Sequence, residues 1–284
     1  MILALLTAAA METVSVMSSS VVVGPGILHG PEALARSPHG GFWVGDRGVA
    51  RFHFFSMDGR HVRSFGGNGQ GWMEFSDRVA VTDPGGQFVY LADTDGSRML
   101  KVDRAGVPVT EIRGPGGGVW PWKPLAVASL PDGRVFVADE GSGTIMVTDP
   151  FDGLRRLSGA GDEPRIPLIP AGLACAAGRV AVSDQAGGLV HFFDTHGNHR
   201  GAIAVGGSPG SVDIRKDGLG AMVDEEAHVV RVFKNGVVYD LSCPPAGMPQ
   251  LASPSAVCFA TDGMLLVAER ESDTIVGLAL AEVP

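Results

Sequence analysis

A short apolar strand ending in a carboxylate recurs six times along this chain and sets what it can fold into. The copies are Phe42-Trp43-Val44-Gly45-Asp46, Val89-Tyr90-Leu91-Ala92-Asp93, Val135-Phe136-Val137-Ala138-Asp139, Val180-Ala181-Val182-Ser183-Asp184, Gly220-Ala221-Met222-Val223-Asp224 and Leu265-Leu266-Val267-Ala268-Glu269. Their acidic residues stand 47, 46, 45, 40 and 45 residues apart. A period of that length marks a radial or stacked repeat array, in which each copy buries its apolar face on the next.

Each unit carries four strand signals. In the third, Leu125 to Ala128 is followed by the turn Leu130-Pro131-Asp132-Gly133, then by Arg134 to Ala138, Thr144 to Thr148 and Gly153 to Leu157. Asp-Gly and Gly-Gly pairs accept the positive φ of tight hairpin turns, and no segment holds a helical apolar stripe for more than about a turn. The predicted fold is all-β, a six-bladed β-propeller with four-stranded antiparallel blades.

The sixth unit offers Ser255 to Phe259, Met264 to Ala268 and Thr274 to Leu280, and lacks a fourth strand. The β-branched stretch Thr13 to Val23 is the expected replacement, since pairing the two ends removes exposed strand edges. Residues 13–284 then form a single domain, preceded by the apolar segment 1–12. Residues 1–10 look like the apolar part of a secretory signal, but no Lys or Arg precedes them and the run is too short to span a bilayer. A secreted or periplasmic location follows if they belong to a signal; the sequence otherwise assigns no compartment.

Two kinds of segment resemble the NHL repeat family. Ser64 to Phe75, reading SFGGNGQGWMEF, is similar to its fourth strand and Gly-rich connection, and Leu91-Ala92-Asp93 and Val137-Ala138-Asp139 to its second strand. The resemblance spans Pro31 to Leu280 and implies the propeller fold. For function it implies a wide choice, since similar propellers include sensors, protein and RNA scaffolds, lyases and lactonases. It also implies that an aromatic residue ending the connection packs between blades, a role that falls on Phe75 and Trp122.

With 22 Lys plus Arg against 31 Asp plus Glu, the formal charge is −9 and no basic run occurs. Phosphate tracking needs clustered cations, so nucleic acid is not an expected partner. The three cysteines include no CxxC; Cys175 and Cys258 fall on inner strands of non-adjacent units and Cys243 in a loop, so buried structural thiols are expected.

The loops entering the inner strands and those joining second to third strands share one face, where side chains converge on the channel mouth. Aligned on Pro31, Ser76, Pro124, Pro170, Pro209 and Pro254, the following positions hold Glu32, Asp77, Leu125, Ala171, Gly210 and Ser255. Glu32 and Asp77 come nearest to a cation site, but two carboxylates make a poor cage; no metal, cofactor or catalytic residue is assigned. The six recurring carboxylates read as turn residues whose side chains accept backbone amides.

Three departures from the repeat matter more. Arg78 takes a slot held elsewhere by Ala or another small residue, so it either clamps an anion or pairs with Asp77 or Glu32. Asp224-Glu225-Glu226-Ala227-His228 is acidic where other units use Gly, Ser or Gln, and reads as a solvated loop. Trp72 lies in one inner-strand loop and Trp120-Pro121-Trp122 in the next, which offers an aromatic patch for a partner.

The resemblance implies that an enzymatic reading needs clustered His for a lyase, or carboxylates and Asn around a divalent cation for a lactonase. The eight His are scattered, and the Asn are Asn68, Asn198 and Asn235. The sequence therefore points to a binding or scaffolding module. It would recognise a protein partner with Trp72, Trp120, Trp122 and Arg78, and a small ligand could occupy the channel. A metal-dependent lyase or hydrolase, lactonase-like, is the alternative.

Overall fold

The computed structural model describes residues 12–76, 78–114, 122–148, 153–157, 169–241 and 251–281. They form six sheets, antiparallel but for one added strand, and in blades one to four the strands run in chain order from the channel outward. Blade one contains Pro31–Arg36, Phe42–Asp46, Arg51–Phe55 and His61–Gly66. The inner strands of blades two to six are Val79–Thr82, Pro124–Ser129, Pro170–Ala176, Pro209–Ile214 and Pro254–Thr261. Each packs beside the next, and the sixth packs beside the first.

The second strands show why the repeat is apolar on both faces. Phe42–Asp46, Val135–Asp139 and Gly220–Asp224 are buried along their whole length, because every blade is covered on both sides by its neighbours. Six clusters of buried residues result, one at each blade interface. Between blades one and two, for example, Trp43, Phe52 and Phe75 meet Val81, Leu91 and Leu100.

Closure follows the expected route with one addition. Val16–Val23 pairs antiparallel with Thr274–Leu280 and completes blade six. Glu12–Val14 pairs parallel with Val237–Leu241, so the same segment adds a fifth strand to blade five. The crossing is at Ser15, whose carbonyl accepts from the amide of Ala281.

In five blades a bulge follows the first residue of the inner strand. Pro31 pairs with Asp46 and Ala33 with Gly45, leaving Glu32 as the extra residue; the same shift occurs after Pro124, Pro170, Pro209 and Pro254. A bulge at a barrel rim turns a side chain out of the ladder. Here it brings Glu32, Leu125, Ala171 and Ser255 to the channel wall.

Blade two corrects the alignment drawn from sequence. Val79 pairs with Asp93 and Ala80 with Ala92, without a bulge. Val79 therefore takes the Pro slot, and Ala80, rather than Arg78, is the counterpart of Ala33. Blade two has no proline there, and hydrogen bonding sets a register that Ser76 misrepresents.

Candidate functional site at the channel mouth

The inner strands enclose a central channel of about 900 Å³. Its mouth is built by a repeated exchange of hydrogen bonds. Each second-strand carboxylate accepts an amide just ahead of its own inner strand: His29 to Asp46 at 2.8 Å, Ser76 to Asp93 at 3.1 Å, Lys123 to Asp139 at 2.8 Å, Ile169 to Asp184 at 2.9 Å and Ser208 to Asp224 at 3.1 Å, with Ser253 donating to Glu269. The carboxylates are thus turn clamps, not a ring of ligands. In Asp224-Glu225-Glu226-Ala227-His228, Asp224 also accepts the amides of Glu226 and Ala227, while His228 is exposed.

The residue after each carboxylate returns an amide to the same loop, which anchors Arg47, Thr94, Glu140, Gln185, Glu225 and Arg270 around the mouth. All except Thr94 line the channel. Cations thus stand on blades six and one, and anions on blades three and five. Most of these charges have partners at the rim itself: Arg47 and Arg270 lie beside Glu32, and Glu140 beside Arg78 and Lys123.

Among the described residues Arg78 bonds to Glu140 rather than to Glu32. Its two terminal nitrogens reach the two carboxylate oxygens of Glu140 at 3.1 and 2.8 Å, and Asp95 lies 3.8 Å away. This two-pronged bond holds the Glu140 carboxyl below its ordinary pKa. Lys123 approaches the same carboxylate at 3.8 Å. On blade five Glu225 accepts from the Gln185 side chain at 3.0 Å.

Glu32 sits between Arg47 at 3.3 Å and Arg270 at 3.9 Å. Burial raises its pKa even so, with the two arginines acting in the opposite direction. A carboxylate flanked by fixed cations is a poor seat for a metal ion. Its suggested companion Asp77 lies outside the described residues. Among the described residues no group of three or more His, Cys, Asp or Glu could hold a metal ion.

The aromatic loops divide. Trp72 is 54% exposed, on the loop that leads into blade two at the mouth end of the ring, although it does not line the channel itself. Trp122 is 2% exposed, which removes it from the proposed binding set. It packs with Ile112, Val127 and Tyr90 between blades two and three, and its ring fills the space a side chain at Gly114 would need. Phe75 does the same above Gly66 between blades one and two. Trp120 lies outside the described residues.

Deeper in the channel wall, Asp213 accepts the amide of Phe259 at 2.8 Å and stitches blade five to blade six; Ser211 likewise accepts from Val257 at 3.2 Å. Burial pushes the Asp213 carboxyl up to about 6 against those amide bonds. Burial likewise raises the thiols of Cys175 and Cys258, so neither is an activated nucleophile. Cys243 is outside the described residues.

The histidines are less scattered than the sequence suggested. His53 Nδ1 lies 3.4 Å from His61 Nε2 in blade one, and His191 Nδ1 lies 3.1 Å from His199 Nε2 in blade four. The signal was present as His53-Phe54-Phe55 and His191-Phe192-Phe193, each followed by Gly and then His at matching distances. These pairs belong to the outer half of their blades, away from the channel.

No family model and no curated protein matches the chain. The NHL resemblance therefore remains a likeness of individual segments. Several solved structures share the fold. A streptogramin B lyase is 14% identical with a TM-score of 0.67, over 93% of this chain and 97% of that one. Virginiamycin B lyase from Staphylococcus aureus is 12% identical with a TM-score of 0.65, over 93% and 99%. A gluconolactonase from Xanthomonas campestris is 14% identical with a TM-score of 0.70, over 93% and 89%. At such identities the likeness establishes the six-bladed propeller and carries no activity with it.

Proposed function

We propose that this protein is a binding module that recognises a protein partner with the channel-mouth face of its propeller. The observation that carries this reading is a rim of paired charges held on rigid turns, Arg47 and Arg270 beside Glu32 and Arg78 on Glu140. Exposed Trp72 and Ile169 stand at the same end of the ring. Fixed opposite charges orient a partner and set its approach, while an exposed aromatic residue supplies buried area at little rotamer cost. The former candidates contribute unequally: Trp72 is available, Trp122 is committed to the core, and Arg78 acts through Glu140.

The deciding experiment is affinity capture from the native source with wild-type protein and with Trp72→Ala and Glu140→Gln variants. The reading requires one defined protein to be retained by the wild type and lost from both folded variants. Equal retention by all three would remove the mouth from the account.

The second reading is a metal-dependent lyase or hydrolase, lactonase-like, with its site in the channel; lyases and a gluconolactonase are among the solved propellers of similar fold. The specific observation in its favour is Asp213, a channel-wall carboxyl poised at about 6 beside a cavity of small-molecule size. Incubation with lactone substrates, with and without a divalent cation, tests it. Turnover abolished by Asp213→Asn would favour it over the binding reading.

A further inference from the structure

We infer that blades one and four each carry a two-histidine site for a divalent transition metal, with zinc as the defining ion. The sites lie on the outer half of the blades and are independent of the channel mouth.

Three features repeat in both blades. A buried third-strand histidine, His53 or His191, turns its Nδ1 toward Nε2 of an exposed outer-strand histidine, His61 or His199. The buried ring directs its other nitrogen, Nε2, at the second-strand carboxylate: His53 to Asp46 and His191 to Asp184, both at 3.7 Å. Among the described residues neither Nε2 has a hydrogen-bond partner. A phenylalanine supports each outer ring, with Phe55 and His61 centroids 5.2 Å apart and Phe193 and His199 centroids also 5.2 Å apart.

Two imidazole nitrogens bound to one tetrahedral zinc at about 2.0–2.1 Å stand about 3.3 Å from each other. The observed separations of 3.4 and 3.1 Å bracket that value. A carboxylate behind the ring is the usual partner of a metal-bound histidine. Asp46 and Asp184 stand in that position at 3.7 Å, just beyond hydrogen-bond reach, so the ring that carries its proton on Nε2 leaves the Nδ1 lone pair for the metal. The outer histidine needs only to carry its proton on Nδ1 to present Nε2. Imidazole donors favour zinc, copper and nickel over calcium and magnesium.

Each site offers two protein donors, so water completes the coordination and the ion stays exchangeable.

Isothermal titration of untagged protein with zinc chloride tests the assignment. Two equivalents are expected, one lost in His199→Gln, the other in His61→Gln and both in the double variant. Both substituted residues are exposed, so unchanged melting in the absence of zinc verifies the fold. His39→Gln, in the turn between the first two strands of blade one and bonded to the Gly85 carbonyl, is expected to retain both equivalents. Absence of heat at millimolar zinc, or binding that persists in the double variant, would overturn the inference.

Discussion

Arg78 grips Glu140 through both terminal nitrogens, at 3.1 and 2.8 Å, and so ties the start of blade two to a turn of blade three. The pair is separated by 62 residues in sequence and lies at the channel rim, with side chains 27% and 33% exposed.

Partial exposure limits what that pair contributes. A double-mutant cycle of Arg78→Ala with Glu140→Ala should give a coupling of about 0.5–1 kcal/mol, shrinking as salt is added. Urea denaturation at low and high ionic strength measures it. A coupling that ignores salt would mean the two side chains interact through packing rather than charge.

Two tryptophans should respond oppositely to truncation. Trp122→Ala empties an interblade wedge and should lower stability by about 3–5 kcal/mol, as should Phe75→Ala. Trp72→Ala should stay within about 0.5 kcal/mol of wild type, since an exposed ring leaves no cavity. Melting curves of the three variants decide, and a strongly destabilised Trp72→Ala would place that ring against the body of the protein.

Acid should act first through the buried histidines. Burial lowers His53 to about 4, with neighbouring His61 adding to the effect, and His191 is lowered for the same leading reason. Their folded-state values lie below the unfolded value, so the stability they contribute is complete above pH 6.5 and falls as pH drops toward 4. For His53 that loss is on the order of 3 kcal/mol. Asp213 works in the opposite sense: its raised value means that protonation below about 6 relieves a cost of folding. Asp213→Asn should therefore show a steeper acid loss than wild type. Proton NMR titration gives the direct check, and a His53 ring that titrates near pH 6.5 would contradict the assignment.

Removing residues through Val23 should leave the free edges of Thr274–Leu280 and Val237–Leu241 exposed and give an aggregating product. Removing residues 1–10 alone should leave the melting temperature close to that of the full chain. Size-exclusion chromatography of the two deletions separates the cases, and a monomeric, normally melting product without Val23 would be incompatible with the observed closure.

The parts of the molecule legible in sequence were those repeated in every blade. Asp46, Asp93, Asp139, Asp184, Asp224 and Glu269 announced the period, and their turn-clamping role followed from what an Asp side chain can do beside free amides. The exceptions were harder. Blade two lacks the proline that marks the other inner strands, and without it nothing in the sequence distinguishes Val79 from Ser76 as the strand's start. The partner of Arg78, Glu140, is brought near only by the ring. Trp72 and Trp122 look alike as loop residues, and only the glycine beneath Trp122 distinguishes a wedge from an exposed ring. The pairing of His53 with His61 was readable, but only by comparing blades three apart rather than neighbours.

The segment that spans blades five and six imposes an order on synthesis. Val16–Val23 emerges from the ribosome early, yet its partner Thr274–Leu280 is made some 250 residues later. Until then a β-prone strand waits without a ladder, and five blades can assemble around it without a finished ring. The chain thus commits to its final shape late, and its dependence on chaperones during translation should concentrate in that interval.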